Sequence, residues 1–345
     1  MTAPEPANVR DPAGAVYCTL FAENYLPQGL TMIESLREQG CEAEMFVLCM
    51  DAEAYEVLTA LALSGVEPIA FDEVNDPELR VACADRNLAE TCWTCTPVVC
   101  DAAFKRRPAA RLVAYVDADV MFFDDPLRLE EELGEGSVLI FEHGYSPGYS
   151  YQAETMGKFN VEVVLFRNDG SGRSCLEDWR RKCIDWCYHR TEPGRMGDQK
   201  YLDEWPDRFS GVHVAGPALV APAPWNFGSH EFGLDEGGRL TTVRGRVLFI
   251  HFSKLVTLWR GKYILCRGYE VPLLLERLAY REYTRRLNRQ WQNIWRIAPH
   301  FTAGLVRPAL AVWIEKTGRW WWARIASVVR RLGGALGYRR RPGGG

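Results

Sequence analysis

LVAYVDADVMFF, residues 112–123, is an apolar, strand-forming run broken by two carboxylates, Asp117 and Asp119, with one alanine between them. Five consecutive apolar residues ahead of the break have the pattern of a strand buried on both faces. Two acids at i and i+2, with the chain turning between them at the strand's end, bring both carboxylates toward one point. An isolated D-x-D triplet is most simply a turn residue and a cap. Here a buried strand delivers both acids and no neighbouring side chain neutralises them, so a cation is expected between them. Oxygen ligands suit Mg²⁺ or Mn²⁺, and an added imidazole would tilt the choice to Mn²⁺.

Outward from this stretch the pattern alternates. AVYCTLFA (15–22), EMFVLCMD (44–51) and VEPIAF (66–71) read as strands. ENYLPQGLTMIESLREQG (23–40) and AEAYEVLTALALSG (52–65) read as helices stopped by Gly40 and Gly65, and a third helix is expected over about 96–107. The βαβα order with wholly apolar strands predicts an α/β fold, with a parallel sheet covered by helices on both faces. SVLIFE, VEVVLFRN and RVLFIHF are further strands, with helices near 172–189 and 197–205. Ligands of open α/β sheets bind outside the carboxyl ends of the strands. Three polar clusters fall at such ends: AENY, DAD and HFSK.

A chain of 345 residues, 47% apolar and 25% charged, can hold one large α/β domain or two average ones. No apolar run reaches the roughly 18 residues of a membrane span. The start, MTAPEPANVRDPAGAVYC, has prolines and acids where a secretory leader has a basic start and an apolar core. Residues 1–14 are expected to be disordered and the protein cytosolic. The eleven cysteines, several of them in apolar runs, read as packed thiols. Cys92 and Cys95 in CWTC lack the second pair that a zinc site needs.

AYVDADVMFFDDPL resembles the D-x-D segment of nucleotide-sugar glycosyltransferases with the GT-A fold, a Rossmann-like, mixed but mostly parallel sheet flanked by helices. LFAENYL, FNVEVVLFRND, GDQKYLDEWPDRF, APWN and IHFSK follow in the order of the family 8 glycosyltransferases and related bacterial enzymes of surface-polysaccharide synthesis. The resemblance covers roughly 15–265 and implies a catalytic domain over 15–280. It implies metal ligation by Asp117, Asp119 and His251. Donor binding is implied for Thr19, Asn24, Tyr25, Asp117, Asn160, Asp198 and Lys254, with Tyr25 stacking on the base, usually uridine. Gln199 and Asp198 would work near the anomeric carbon. Trp225 and Asn226 in APWN would line the acceptor or donor side, and His143, which ends a strand, would face the acceptor, a glycan or a lipid-linked sugar; the family implies retention of configuration. The chain departs from the pattern at Ala22, where a small acidic group is usual, at Glu162, where glycine is usual, and in the spacing of HFSKLVTLW.

Two other readings use the same residues. A haloacid-dehalogenase-type phosphohydrolase also carries a D-x-D on an apolar strand, but on its first strand, whereas three strands precede this one. A protein that binds a nucleotide sugar without turnover is compatible with Ala22 and Glu162.

Charge divides the chain. Residues 281–345 hold fourteen Arg or Lys against two Glu, with six of the twelve tryptophans, while residues 1–280 hold 27 basic and 43 acidic residues. A basic tail is therefore expected to begin near 281. Within it, GRWWWARIASVVRRL (318–332) puts Trp321, Trp322, Ile325, Val328, Val329 and Leu332 on one helical arc, with Arg319, Arg324, Arg330 and Arg331 opposite. A Trp-bearing basic amphipathic helix predicts a segment lying on an anionic membrane surface, at the inner face of the plasma membrane, the alternative being a helix that packs its apolar arc on the catalytic domain or on another subunit. The wide apolar arc disfavours a nucleic-acid arm. GYRRRPGGG at the end reads as disordered.

Overall fold

The computed structural model describes residues 14–306, apart from 75 and 260. Its main strands are β1 (Ala15–Phe21), β2 (Met45–Cys49), β3 (Val66–Ala70), β4 (Leu112–Val116), β5 (Val120–Phe122), β6 (Val138–Glu142), β7 (Phe159–Arg167) and β8 (Val212–Val214). Seven of them form one sheet in the order β3-β2-β1-β4-β7-β6-β8. Neighbours run parallel except where β7 pairs antiparallel with β4 on one side and β6 on the other. The sheet is thus mixed and mostly parallel, as expected.

Helices cover it: α1 (Leu26–Glu38), α2 (Ala52–Leu61), α3 (Pro77–Cys83), α4 (Leu88–Arg106), α5 (Leu127–Leu133), α6 (Gln152–Met156), α7 (Gly170–Asp185), α8 (Trp205–Arg208), α9 (Leu273–Leu275) and α10 (Arg281–Ile297). Alternate residues of each central strand feed opposite cores. Tyr17, Val47, Ala114 and Leu165 pack toward Leu30, Ile33 and Val57 of α1 and α2. Cys18, Leu48, Val113 and Val164 pack toward Val99 and Cys100 of α4 and Trp179 of α7.

Several helix boundaries differ from expectation, and the helix expected near 197–205 is a 3-10 helix (Gln199–Glu204) running into the short α8. α4 begins at Leu88, well before 96, because the Asn87 side chain and Glu90 cap each other's backbone N–H groups, and Pro97 is carried inside the helix. α2 ends at Leu61 with Ala62 in the left-handed region at φ 47°, short of Gly65. The chain beyond β8 builds small sheets: β9 (Phe232–Leu234), β10 (Leu240–Thr242) and β11 (Gly245–Arg246) together, β12 (Phe249–His251) against β5, and β13 (Val256–Leu258) with β14 (Lys262–Ile264). The late strand expected over 246–252 is therefore shorter, and it lies outside the main sheet.

The change of charge near residue 280 does not coincide with a structural break. α9, a π-helical turn (Glu276–Tyr280) and α10 are continuous. α10 lays Trp291 and Ile294 into the α1 side of the core, while Leu287 packs with Ile250, Phe252 and Tyr280. Its arginines meet the acids of α1, with Arg286 at 2.5 Å from Glu38 and Arg289 at 2.7 Å from Glu34. Tyr283 stacks on Phe252, ring centres 3.9 Å apart. The chain then turns back over the α1 entrance at Gly304, φ 78°, where a Cβ would lie 2.5 Å from the Asn24 carbonyl oxygen, so only glycine fits. Trp321, Trp322, Arg324, Ile325, Arg330 and Arg331 lie outside the described residues. No helix among those described is long and apolar enough to cross a membrane.

Candidate metal and donor site

The D-x-D acids leave the carboxyl end of β4, and the chain turns at once into β5, closed by the Val120 N–H donating to the Asp117 carbonyl at 3.2 Å. β5 pairs antiparallel with β12 so that His251 lies opposite Val120. That register carries the imidazole to the carboxylates across more than 130 residues of sequence. His251 Nε2 is 2.9 Å from Asp119 Oδ1 and 3.8 Å from Asp117 Oδ2. One ligand atom from each of the three side chains lies within 4.8 Å of the others. Two carboxylates and an imidazole so arranged fit a divalent metal ion.

Electrostatics at this corner are unbalanced. Burial lifts the Asp117 carboxyl to about 7; His251 opposes the shift, Asp119 adds to it, and the Tyr115 hydroxyl, donating to Asp117 Oδ1 at 2.7 Å, opposes it. Burial likewise lifts Asp198 to about 7, with the Asp117 charge adding to it. Burial opposes a charge on His251, but Asp119 and Glu162 outweigh it and hold the ring well above its ordinary value. Glu162, 2% exposed, is raised by burial against its bond to His251. Three carboxylates therefore crowd one imidazole.

Of the other nominated residues, Tyr25 and Asp198 lie within electrostatic reach of Asp117, and Asn160 is linked to the corner through Glu162. Tyr25 is 40% exposed, and its hydroxyl is near enough to Asp119 and Asp117 for their charges to add to the upward shift from burial. Asn24 is half-buried in the same 3-10 turn. Asn160, on β7, is buried and accepts from the Glu162 N–H at 3.1 Å. Asp198 follows Gly197, is buried, and makes no side-chain cap to the turn it opens. Its carbonyl accepts from Trp179 Nε1 at 3.0 Å. Gln199 donates its amide to the Met156 carbonyl at 2.6 Å. Lys254 is exposed and left-handed at φ 68° in the turn after β12, an uncommon conformation for a residue with a side chain.

A chain of rings leads away from the ion corner. The Trp225 ring stands edge-on to His251 at 5.3 Å and to His143 at 5.3 Å, and His143 stacks on Tyr145 at 4.6 Å. Burial depresses His143 to about 3 and keeps it neutral. Both polar ends of Asn226 are committed, the amide to the His143 carbonyl at 3.0 Å and the carbonyl oxygen to the Ala223 N–H at 2.8 Å, so this residue shapes the loop. Beside that loop lies a cavity of about 690 Å³ lined by Glu142, Tyr145, Lys158, Asn226, His230 and Arg244. Thr19 Oγ1, Asn160 Nδ2, His143 Nδ1 and Trp225 Nε1 are buried polar atoms with no hydrogen-bond partner among the described residues. Such atoms are costly unless something pairs with them.

No protein-family model matches the chain. Two relatives from Bacillus subtilis (strain 168) do. The uncharacterized protein YfnD is 29% identical over 293 residues, 84% of this chain and 94% of its own length. The uncharacterized protein YfnF is 28% identical over 246 residues, 69% of this chain and 81% of its own. Among solved structures, the galactosyltransferase LgtC in complex with donor and acceptor sugar analogs aligns with a TM-score of 0.50, over 81% of this chain and 99% of that one, at 15% identity. The chain has the GT-A glycosyltransferase fold.

Within that fold, sequence reading missed three residues that hold the site. Tyr115 bonds Asp117, Glu162 bonds His251, and Trp179 bonds the backbone of Asp198. Glu162 had a visible signal, a lone acid in the strand FNVEVVLF, which is apolar apart from it and Asn160. Tyr115 and Trp179 had none, because buried aromatics are ordinary core residues.

Proposed function

We propose that the chain is a metal-dependent glycosyltransferase that moves a sugar from a nucleoside diphosphate sugar, with uridine as the base, to a glycan or lipid-linked acceptor with retention of configuration. The observation that carries this reading is the meeting of Asp117, Asp119 and His251 at the carboxyl end of a GT-A sheet. The orphaned buried donors of Asn160 and Trp225 beside it support the reading.

As the sugar departs, negative charge grows on the diphosphate, and a divalent ion bound at the corner supplies Lewis acidity to that leaving group. Lys254, exposed in the next turn, adds a positive charge toward the same phosphates. The exposed ring of Tyr25 offers a stacking face for the base, with Asn24 beside it. Asn160 Nδ2 donates to a sugar hydroxyl. Asp198 and the carbonyl oxygen of Gln199, its amide held by Met156, stabilise the oxocarbenium-like sugar. The cavity beside Trp225 and His143 is suited to an acceptor sugar. The basic Trp-rich segment around Trp321 and Arg330 would hold the enzyme on an anionic membrane surface. Equal sedimentation of wild type and a Trp321→Ala/Trp322→Ala/Arg330→Glu variant with anionic vesicles would end that part of the proposal.

The test is calorimetric titration of UDP with and without Mn²⁺ into wild type and Asp119→Ala. Binding that needs Mn²⁺ and disappears in the variant is expected. UDP binding that ignores both the metal and the substitution would overturn the reading.

A further inference from the structure

Glu162 is an acid in the middle of a central strand, 2% exposed and, among the described residues, with no lysine or arginine paired with it. A buried carboxylate whose counter-charge among the described residues is one shared imidazole is costly, and an apolar side chain would be cheaper there. Its contacts all go to the site. Oε2 lies 3.1 Å from His251 Nδ1, the backbone carbonyl accepts from the Asp117 N–H at 2.9 Å, and the backbone N–H donates to Asn160 Oδ1 at 3.1 Å. The opposite ring nitrogen, Nε2, faces Asp119 and Asp117. Trp225 stands edge-on to the same ring at 88° and limits its rotation.

An ionised carboxylate can only accept, so it fixes a proton on Nδ1 and leaves the Nε2 lone pair for a cation. We infer that Glu162 is a positioning residue for the metal: it sets the tautomer and direction of His251 and adds a third negative charge to a two-carboxylate site. This rests on the metal-dependent reading above, but it concerns ion affinity and needs no donor or acceptor.

The experiment uses the full-length protein without nucleotide. Mn²⁺ is titrated into wild type and Glu162→Gln by calorimetry, and thermal unfolding of each is followed in EDTA and in saturating Mn²⁺. The expected result is a Kd for Mn²⁺ raised about 10- to 100-fold in the variant. Its Tm in EDTA should be no lower than that of wild type, and the increment that Mn²⁺ adds should shrink. A merely structural role would lower Tm equally in both media and leave the Kd alone, and that outcome overturns the inference. Should the glutamine variant fail to fold, Glu162→Asp, which keeps the charge but withdraws it from Nδ1, takes its place. Weaker Mn²⁺ binding is expected, and unchanged affinity overturns the inference. If wild type itself takes up neither Mn²⁺ nor Mg²⁺, the metal site fails and this inference with it. If wild type binds and the variants match it, only the role of Glu162 fails.

Discussion

Two acidic centres of this molecule have opposite electrostatics. Asp178 on α7 is buried but ringed by cations, with Arg181 at 2.5 Å, Lys182 at 3.1 Å and Arg208 at 2.8 Å. Burial pushes its carboxyl up, and the bonds from Arg208 and Lys182 outweigh that and hold it below the usual range. At the D-x-D corner, Asp117 and Glu162 are pushed up, and one imidazole serves three carboxylates. The first centre is neutralised by the chain itself and braces α7 against α8. The second is left anionic at the mouth of the sheet, where a cation from outside would balance it. Burial of an acid is common to both, so burial alone does not mark function; the missing counter-charge does.

The largest difference should appear in turnover. EDTA, or Asp119→Ala, is expected to lower release of UDP from the cognate UDP-sugar on the order of 1,000-fold, the loss of about 4 kcal/mol of leaving-group stabilisation. Asp178→Asn, whose partners are Arg181, Lys182 and Arg208 and not the D-x-D acids, should leave turnover within about threefold. Equal losses would erase the distinction.

Stability measured in EDTA should separate the centres by sign. Asp178→Asn is expected to cost about 1–2 kcal/mol, discounted because Arg181 and Arg208 are well exposed, and to lower Tm by several degrees. Asp117→Asn should leave Tm unchanged or higher at about pH 8, since it removes a carboxylate that burial and the Asp119 charge already disfavour. Thermal melts of the two variants decide this, and a fall in both would contradict it.

The pH dependence follows from the same shifts. Asp117 and Asp198, lifted to about 7, stay protonated in the folded chain where the unfolded chain has released its protons. Their contribution to stability is whole below about pH 4 and gone above about 7. Asp178, held low, contributes above about 4 and loses that contribution as the pH falls through its folded value. Tm in EDTA should therefore fall between about pH 5 and 7.5, less steeply in Asp198→Asn, and an identical slope would count against the assignment. The smallest effect is expected from Tyr115→Phe, which removes one hydrogen bond to Asp117. Mn²⁺ affinity should drop about fivefold, roughly 1 kcal/mol, in the same titration.

The D-x-D strand was legible because carboxylates interrupt an apolar run at its end, and the order of strands and helices followed from their periodicity. The meeting with His251 was legible only through resemblance, since it depends on β5 pairing with β12, a register that local pattern does not encode. Glu162 departs from the pattern of similar enzymes, and only the fold reveals that it faces the imidazole. α10 was obscured by its charge. Tyr283, Leu287, Trp291 and Ile294 recur at helical spacing on one face, and that stripe outweighs the arginines, which find Glu34 and Glu38 on α1. Asn226 was nominated for a ligand because of its neighbours, although its side chain serves the loop.

The most direct measurement is titration of Mn²⁺ into the nucleotide-free protein, following the spectrum of the free ion by electron paramagnetic resonance. One bound ion per chain is predicted for wild type and for Asp178→Asn, and none at the same concentration for Asp119→Ala. An Asp119→Ala protein that binds Mn²⁺ as wild type does, or a wild type that binds none, would contradict the account.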